Sequence, residues 1–179
     1  MVLSAQNQGW GALMAALVLF YMRGQFGAVH LKKDVGLFPL YLKKEYFDSA
    51  EIIKIGTDDK SDYSTGEIKV RNLFYEPRVD DDFFQHSKKF ELKCVWKSFL
   101  YLLKHKEFTH IMMFNVTRYT LGLSFLVKLL MPKRKIYLKL DANTKIAETL
   151  SLPPKSFRLK LFYRLVSCAD IISVETSQN

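Results

Sequence analysis

The sequence contains few cysteines, glycines and prolines. Its 179 residues include two cysteines, eight glycines and five prolines. Cys94 and Cys168 stand far apart in apolar segments and form no C-x-x-C or other ligand spacing. This excludes a disulfide framework or a zinc site built on paired cysteines, and it favours two buried, reduced thiols over one disulfide. Reduced thiols are typical of a cytoplasmic protein.

Long apolar runs are also missing. The strongest, GALMAALVLFYM at residues 11–22, is much shorter than the roughly 20 residues with which a helix spans a bilayer. A transmembrane helix is therefore excluded for this run. Residues 1–11 carry no Lys or Arg, whereas a signal peptide begins with a positively charged region. We predict a buried first strand at 15–21 rather than a targeting element.

Several nucleotide-binding and catalytic motifs are absent as well. No G-x-x-x-x-G-K-[ST] occurs, which excludes a P-loop, and Gly24 and Gly27 form G-x-x-G rather than the G-x-G-x-x-G of dinucleotide-binding folds. No Ser-His-Asp set, nucleophile elbow or H-E-x-x-H is apparent. Residues 79–84, VDDDFF, satisfy the D-x-D metal signature of one class of sugar transferases, but we expect these carboxylates to favour the start of the following helix. No metal site is predicted.

The charge of the chain is strongly positive. The 27 Lys and Arg against 18 Asp and Glu give a formal net charge of +9. Such an excess favours partners that carry phosphate, namely nucleic acid, anionic lipid headgroups or nucleotide-linked substrates. No helix-turn-helix, zinc or single-strand-binding signature accompanies the charge, so nucleic acid is not expected as a partner.

Short apolar runs rich in β-branched and aromatic residues alternate with segments of helical spacing along most of the chain. This alternation predicts a single α/β domain with an open, mostly parallel, doubly wound sheet of about six strands and helices on both faces. Residues 56–67 are predicted to form a polar loop. The predicted strands are 15–21, 51–55, 68–74, 110–115, 135–140 and 170–174, and the predicted helices lie near 36–47, 87–105, 118–131 and 156–168.

Ligands of open α/β sheets bind beyond the carboxyl ends of the strands, so residues directly after each predicted strand are candidates for a site. Small residues in the loop after the first strand would let backbone N–H groups approach an anion, although glycines that serve only the turn are equally compatible with it. Polar residues that follow later strands are further candidates. The candidates are Gly24, Gly27, His30, Lys32 and Lys33 after the first strand, Asn115, Thr117 and Arg118 after the fourth, and Asp141 and Asn143 after the fifth.

The predicted helix 87–105 has a distinctive pattern. Leu92, Trp96, Phe99 and Leu103 share one face, and lysines line the neighbouring flank. A lysine flank usually only solvates a helix, but further basic residues at 132–135 and 155–164 make attraction to an anionic bilayer surface the second interpretation. The candidate membrane-facing residues are Lys89, Lys93, Lys97 and Lys104.

The order of these segments resembles a known family. HLKKDVGLFPLYLKKEY, EIIKIG, HIMMFNVTRYTLGLSFLVKLL, KIYLKLDAN and FYRLVSCADIISVETSQ are together similar to the N-terminal Rossmann-like domain of GT-B glycosyltransferases, particularly the family-four type of bacterial surface polysaccharide synthesis. The similarity extends over residues 14–179. Two departures from the family occur: many members have a His at or beside Asp141, and the Ser that usually follows the last strand is displaced to Ser177.

The resemblance implies roles for the candidate residues. Gly24, Gly27, His30 and Lys33 would belong to the loop that meets the diphosphate of a nucleotide-sugar donor. Asp141 would be the tentative catalytic residue, with Asn115, Arg118 and Asn143 on the acceptor side. The acceptor would be lipid-linked or a polysaccharide.

The resemblance also implies what the chain lacks. The nucleotide-sugar site of the family lies mainly in a C-terminal domain, so the chain is expected to be an N-terminal half that is inactive alone. The implied reaction needs neither cofactor nor metal, and the implied location is the cytoplasm, as a peripheral protein on the inner face of the cell membrane. The alternatives are another Rossmann-like enzyme, or a basic membrane-interaction module without catalysis.

Overall fold

The computed structural model describes residues 15–21, 26, 28–56, 62–65, 67–75, 88–114, 117–141 and 157–175. The strands within them are β1 (Ala16–Tyr21), β2 (Ser49–Gly56), β3 (Tyr63–Thr65), β4 (Ile68–Tyr75), β5 (Phe108–Phe114), β6 (Lys135–Asp141) and β7 (Ile171–Glu175). The helices are α1 (Ala28–Leu31), α2 (Asp34–Tyr46), α3 (Lys88–Lys104), α4 (Arg118–Leu130) and α5 (Phe157–Val166).

These strands form one sheet in the order β3-β4-β2-β1-β5-β6-β7. Every neighbouring pair is parallel except β3 and β4, so six parallel strands carry one short antiparallel strand at the edge. The predicted open, mostly parallel sheet is confirmed. From β1 the chain builds outwards to one side through β2 and β4, and it then returns to β5 on the other side of β1.

Helices cover both faces of the sheet, as predicted for a doubly wound fold. On one face α2 packs Val35, Phe38 and Leu42 against Leu19 and its buried neighbours. On the other face α3 and α4 pack against Phe20 and its neighbours, and α5 lies beside α4. Two apolar clusters therefore sandwich the sheet, and the burial of both faces explains why its strands are nearly continuous apolar runs.

The start of α4 is fixed by a capping box, which Thr117 and Thr120 form. The Thr117 hydroxyl accepts a hydrogen bond from the Thr120 backbone N–H at 3.1 Å, and the Thr120 hydroxyl accepts one from the Thr117 N–H at 2.9 Å. These reciprocal bonds satisfy donors that a helix start otherwise leaves without intrahelical partners. They place Arg118 directly beyond β5.

Gly36 is required where α1 meets α2. A Cβ atom at this position would collide with the backbone of Leu31, the last residue of α1. The backbone cannot move aside as a flexible side chain would, so only glycine permits the close approach of the two helices.

Two expectations from the sequence need correction. The predicted loop 56–67 contains the short strand β3, which pairs Tyr63 with Val70 and Thr65 with Ile68. Three residues are too few for a strand to show alternation, which is why sequence periodicity misses it. In α3 the buried residues are Cys94, Val95, Ser98, Phe99 and Leu102, so of the predicted apolar face only Phe99 is buried, while Leu92, Trp96 and Leu103 are exposed. Neither cysteine forms a disulfide, and Cys94 is buried as predicted, but Cys168, predicted to be buried, is only half-buried because it lies in the turn after α5.

Candidate functional site

The sheet order gives one crevice that is a candidate ligand site. The connections from β1 and β5, which are adjacent strands, lead to opposite faces of the sheet. At such a reversal the two connections diverge beyond the carboxyl ends of the strands and leave a crevice, where open α/β folds bind ligands. Tyr21 ends β1 and Phe114 ends β5 at this edge. Among the candidate residues after these two strands, those that the structure describes are His30, Lys32 and Lys33 after β1 and Thr117 and Arg118 after β5.

His30 belongs to an aromatic cluster behind the loop that follows β1. Its ring stacks on Phe26 at a centroid distance of 5.4 Å and an interplanar angle of 23°, and it lies 5.5 Å from the ring of Tyr21. Phe26 is buried, and its ring meets Tyr21 edge-on at 5.0 Å. The cluster anchors the loop to the end of β1, and it leaves His30 half-buried rather than fully in solvent.

Lys33 is the N-cap residue of α2 and is exposed. Its carbonyl oxygen accepts hydrogen bonds from the backbone N–H groups of Gly36 and Leu37, both at 2.9 Å. Its side chain makes no capping hydrogen bond. The positive end of the α2 dipole thus lies at the carboxyl edge of the sheet beside an exposed ammonium group, and the carboxylate of Asp34, the first residue of α2, lies at the same end.

Arg118 opens α4 on the other side of the crevice. Its Nε lies 2.6 Å from Oε2 of Glu91 in the first turn of α3. The Arg118 side chain is 60% exposed, whereas that of Glu91 is 15% exposed. Glu91 therefore holds the guanidinium at the carboxyl edge, with much of its surface open to solvent. This geometry suits an arginine that contacts an anionic or hydroxyl-bearing ligand.

Asp141 is the last residue of β6 and pairs in register with Glu175, the last residue of β7. Its backbone position is therefore at the same edge as Arg118 and Lys33. Gly24, Gly27, Asn115 and Asn143, and also the acidic run 80–82, lie outside the described residues. Within the described residues, no three His, Cys, Asp or Glu side chains come together as a group that could hold a metal ion.

Two buried lysines near this edge were not among the candidate residues. Lys54 in β2 and Lys139 in β6 are 5% and 6% exposed. The Nζ atom of Lys139 lies 2.5 Å from Oδ2 of Asp34, the first residue of α2, and 5.4 Å from the centre of the Phe114 ring. A lysine inside an otherwise apolar strand, as in EIIKI and KIYLKL, is the sequence signal that could have revealed them.

A cavity of about 450 Å³ opens between α2 and the strands β6 and β7. Asp34 and Lys139 stand at one part of its wall. Phe38 stacks on Tyr137 with ring centroids 5.6 Å apart, and the Tyr137 hydroxyl is 2.6 Å from the Ser173 hydroxyl. The complete lining is Asp34, Leu37, Phe38, Tyr41, Tyr137, Lys139 and Ser173.

The four lysines predicted to face a membrane, Lys89, Lys93, Lys97 and Lys104, are all exposed on α3. Lys93 places its Nζ atom 4.7 Å from the centre of the Phe74 ring. Beside them lies an exposed apolar strip, which we define as Leu92, Trp96 and Leu103. None of the described helices is both long and apolar enough to cross a membrane.

The fold is similar to that of a known enzyme. No protein-family model matches the sequence, and no curated protein matches it either. Among solved structures, sucrose-phosphate synthase from Thermosynechococcus elongatus superimposes with a TM-score of 0.54 at 12% sequence identity. The match covers 88% of this chain and 41% of the synthase chain. The chain thus spans less than half the length of that enzyme and has a glycosyltransferase-like fold.

Proposed function

We propose that this chain is the N-terminal, acceptor-side domain of a GT-B glycosyltransferase that moves a sugar from a nucleotide-sugar donor to a lipid-linked or polysaccharide acceptor. The observation that carries the proposal is the fold likeness to sucrose-phosphate synthase over 88% of the chain. The reversal of the connections between β1 and β5 supports it, because open α/β sheets bind ligands at such a crevice and Lys33 and Arg118 follow these two strands.

In this proposal the two sides of the crevice have different tasks. We assign the loop after β1, with Gly24 and Gly27, to the donor diphosphate, with His30 as a further hydrogen-bond donor and Lys33 as a positive charge at the start of α2. Arg118, Asn115 and Asn143 hold the acceptor, and Asp141 accepts a proton from the attacking hydroxyl. Charge on the diphosphate is stabilised by these side chains and backbone N–H groups, so neither a metal ion nor a cofactor takes part.

The proposal assigns the nucleotide-sugar site to a second α/β domain. The chain matches 41% of the synthase chain, which leaves the larger part of that enzyme without a counterpart here. An acceptor-side domain that lacks its donor site binds an acceptor but cannot complete a transfer. We therefore expect the isolated chain to be inactive with every nucleotide sugar.

The experiment is a radiolabel transfer assay. The chain, joined to the polypeptide encoded directly after it, is incubated with labelled nucleotide sugars and lipid-linked acceptors, and label in the acceptor is counted. Arg118→Ala should lower transfer by about tenfold to a hundredfold, because a group that positions the reactants is lost. Glu91→Gln, which keeps Arg118 but removes its ion pair, should lower it less.

Arg164→Ala is the matched control. Arg164 is also an exposed arginine at a helix position, but it lies in the last turn of α5, near the opposite edge of the sheet. Its replacement should leave transfer unchanged. Equal losses in the Arg118 and Arg164 variants would contradict the assignment of Arg118 to the acceptor side, and transfer that requires added divalent metal would contradict the metal-independent mechanism.

A second proposal concerns where the domain works: we propose that α3 docks on an anionic membrane surface. The supporting observation is the exposed strip of Leu92, Trp96 and Leu103, which are 68%, 54% and 45% exposed. At 3.6 residues per turn these three residues fall on one side of the helix, beside the arc that holds Lys89, Lys93, Lys97 and Lys104. A tryptophan flanked by aliphatic residues and lysines suits the boundary between headgroups and acyl chains.

The neighbouring helix widens this surface. On α4, Phe125 and Leu129 are 45% and 62% exposed. The two helices pack closely, since a Cβ atom on Gly122 of α4 would lie 3.3 Å from the side chain of Val95 on α3. One apolar and basic surface therefore spans two helices on the side of the sheet opposite α2.

Vesicle sedimentation tests the docking proposal. The chain should sediment with vesicles of phosphatidylglycerol and remain in solution with phosphatidylcholine vesicles. Replacing Lys89, Lys93 and Lys97 by Gln should abolish sedimentation, because each lysine near an anionic surface contributes about 1 kcal/mol. The matched control replaces Lys44, Lys69 and Lys106, which are also exposed but lie outside α3 and α4. If both triple variants sediment alike, α3 is not the docking surface.

A further inference from the structure

The cavity beside α2 has no part in the roles assigned so far. Leu37, Phe38 and Tyr41 of α2 form one wall, and Tyr137, Lys139 and Ser173 of β6 and β7 contribute the rest together with Asp34. It lies on the α2 face of the sheet, away from the lysines of α3. Its volume of about 450 Å³ falls within the range of small-molecule sites in proteins, roughly 300–1,000 Å³.

The lining combines ring surfaces with a few polar groups at defined places. Tyr41 and Leu37 are 57% and 51% exposed, so their apolar surfaces are open to a ligand. Phe38 and Tyr137 are held in place by stacking on each other at 5.6 Å. Aromatic surfaces of this kind pack against the C–H groups on the faces of a sugar ring, since both surfaces are apolar and flat.

The polar groups of the cavity both donate and accept hydrogen bonds. The Lys139 ammonium can only donate and the Asp34 carboxylate can only accept, while the paired hydroxyls of Tyr137 and Ser173 can do both. A sugar hydroxyl also donates and accepts, so it matches such a set. The dianion of a phosphate monoester has no hydrogen to donate, so it does not match the Asp34 carboxylate.

The charges of the cavity lead to the same ligand class. Asp34 is 60% exposed and its carboxylate balances the buried Lys139 ammonium at 2.5 Å. An anion entering the cavity would meet this carboxylate and be repelled by it, whereas an uncharged ligand would not.

From these observations we propose that the cavity binds an uncharged pyranose ring of the acceptor glycan, stacked against Tyr41 and hydrogen-bonded to Asp34 and Lys139. The identification of this ring as part of an acceptor rests on the proposed glycosyl-transfer function. Binding of the ring itself does not need the second domain, because the lining residues all belong to this chain.

The test is a titration of the isotope-labelled 179-residue chain, followed by the backbone amide signals in NMR spectra. The neutral titrants are the methyl glycosides of glucose, galactose, mannose and N-acetylglucosamine. The anionic titrants are glucose 6-phosphate and inorganic phosphate. At least one neutral glycoside should cause saturable shifts at residues 34–41, 137–139 and 173. No saturable shift from any neutral glycoside, or shifts from the phosphates alone, would overturn the proposal.

Matched tyrosine variants locate the binding. Tyr41→Ala should weaken binding of the glycoside by about tenfold, because one ring contact is lost. Tyr46→Ala is the control, because Tyr46 is 67% exposed on the same helix but does not line the cavity. Equal affinities in the two variants would overturn the site. Asp34→Asn, which keeps the shape of the side chain but removes its charge, should also weaken binding of the neutral glycoside. The same variant should bind glucose 6-phosphate, because the carboxylate that repels the phosphate group is gone.

The two proposals fail in distinguishable ways. Glycoside binding without any transfer by the two-domain protein would leave the cavity as a sugar site and remove the glycosyltransferase proposal. Transfer in which Tyr41→Ala has the same acceptor KM as Tyr46→Ala would leave the enzyme and remove the acceptor role of the cavity.

Discussion

The Nζ atom of Lys139 in β6 lies 2.5 Å from Oδ2 of Asp34 in the first turn of α2. The lysine side chain is 8% exposed and the aspartate side chain 60% exposed, so a buried cation is balanced by a carboxylate at the protein surface. The aspartate also lies at the positive end of the α2 dipole, which stabilises its charge. Together with the stacking of Phe38 on Tyr137, this contact joins α2 to β6, which lies on the other side of β1 from β2.

The two partners should respond differently to replacement. Asp34→Asn leaves the Lys139 ammonium buried without this carboxylate and should lower the free energy of unfolding by about 1–2 kcal/mol. Lys139→Met removes the buried charge together with the need for a partner, and its cost should be smaller. Urea unfolding of both variants and of the double variant measures the difference. A larger loss for Lys139→Met than for Asp34→Asn would contradict this account of the pair.

A buried hydrogen bond should tie α3 to α4. The hydroxyls of Ser98 and Tyr119 are 2.9 Å apart and both residues are buried. Burial raises the pKa of Tyr119 well above its ordinary value, although the bond to Ser98 opposes the shift. Tyr119→Phe leaves the Ser98 hydroxyl without this partner and should cost about 1–2 kcal/mol, whereas adding Ser98→Ala should recover part of the loss. Strict additivity of the two single variants in urea unfolding would show that the hydroxyls do not interact.

Gly36 and Gly122 should tolerate alanine to different degrees. A Cβ atom at position 36 meets the immobile backbone of Leu31, whereas at position 122 it meets a methyl group of Val95 at 3.3 Å, which needs to move only slightly. Gly36→Ala should cost about 1–3 kcal/mol, as overpacking does elsewhere. At Gly122→Ala the gain in helix propensity, about 1 kcal/mol, offsets the tighter contact. Thermal unfolding that ranks the two variants equally would contradict the close approach of α1 and α2.

His110 should make stability depend on pH. Burial, and secondly the charge of Lys135, lower the pKa of His110, while Asp170 acts in the opposite direction. In the unfolded chain His110 takes up a proton near its ordinary pKa of about 6.5, whereas in the folded chain it takes up a proton only at a lower pH. Stability should fall as the pH drops below about 6.5 and should stop responding to His110 below the folded-state pKa.

The comparison that isolates this effect uses His110→Gln, which has no titrating group. Urea unfolding of both proteins at a series of pH values gives two slopes, and the variant should have the shallower slope in mildly acidic solution. Parallel slopes would show that the pKa of His110 is the same in the folded and unfolded chain. The absolute stabilities are not compared, because the variant also loses the ring contact with Phe47 at 4.8 Å.

Local patterns predicted most of the fold. The helix at 118–131 was predicted to within one residue of the observed Arg118–Leu130, because apolar residues recur there at helical spacing. The strand β1 was likewise predicted from a short apolar run. The strand β3 was missed because its short pairing depends on β4 rather than on any pattern of its own.

The site was only partly predictable. Residues that follow strands, such as Arg118, can be found from sequence because the carboxyl ends of parallel strands share one edge. The pairing of Lys139 with Asp34 joins residues 105 positions apart and depends on which face α2 crosses, which no local pattern gives. The exposed strip on α3 was hidden for a similar reason, since apolar residues occur around much of that helix and only packing decides which of them are buried.

We propose that this domain takes part in glycosyl transfer but cannot catalyse it alone. Transfer of label from nucleotide sugars to lipid-linked acceptors by the chain alone, and by the chain joined to the polypeptide encoded directly after it, tests this claim most directly. The account predicts no turnover in the first case and metal-independent transfer in the second. Turnover by the isolated chain, or no transfer by the joined protein with any donor, would contradict it.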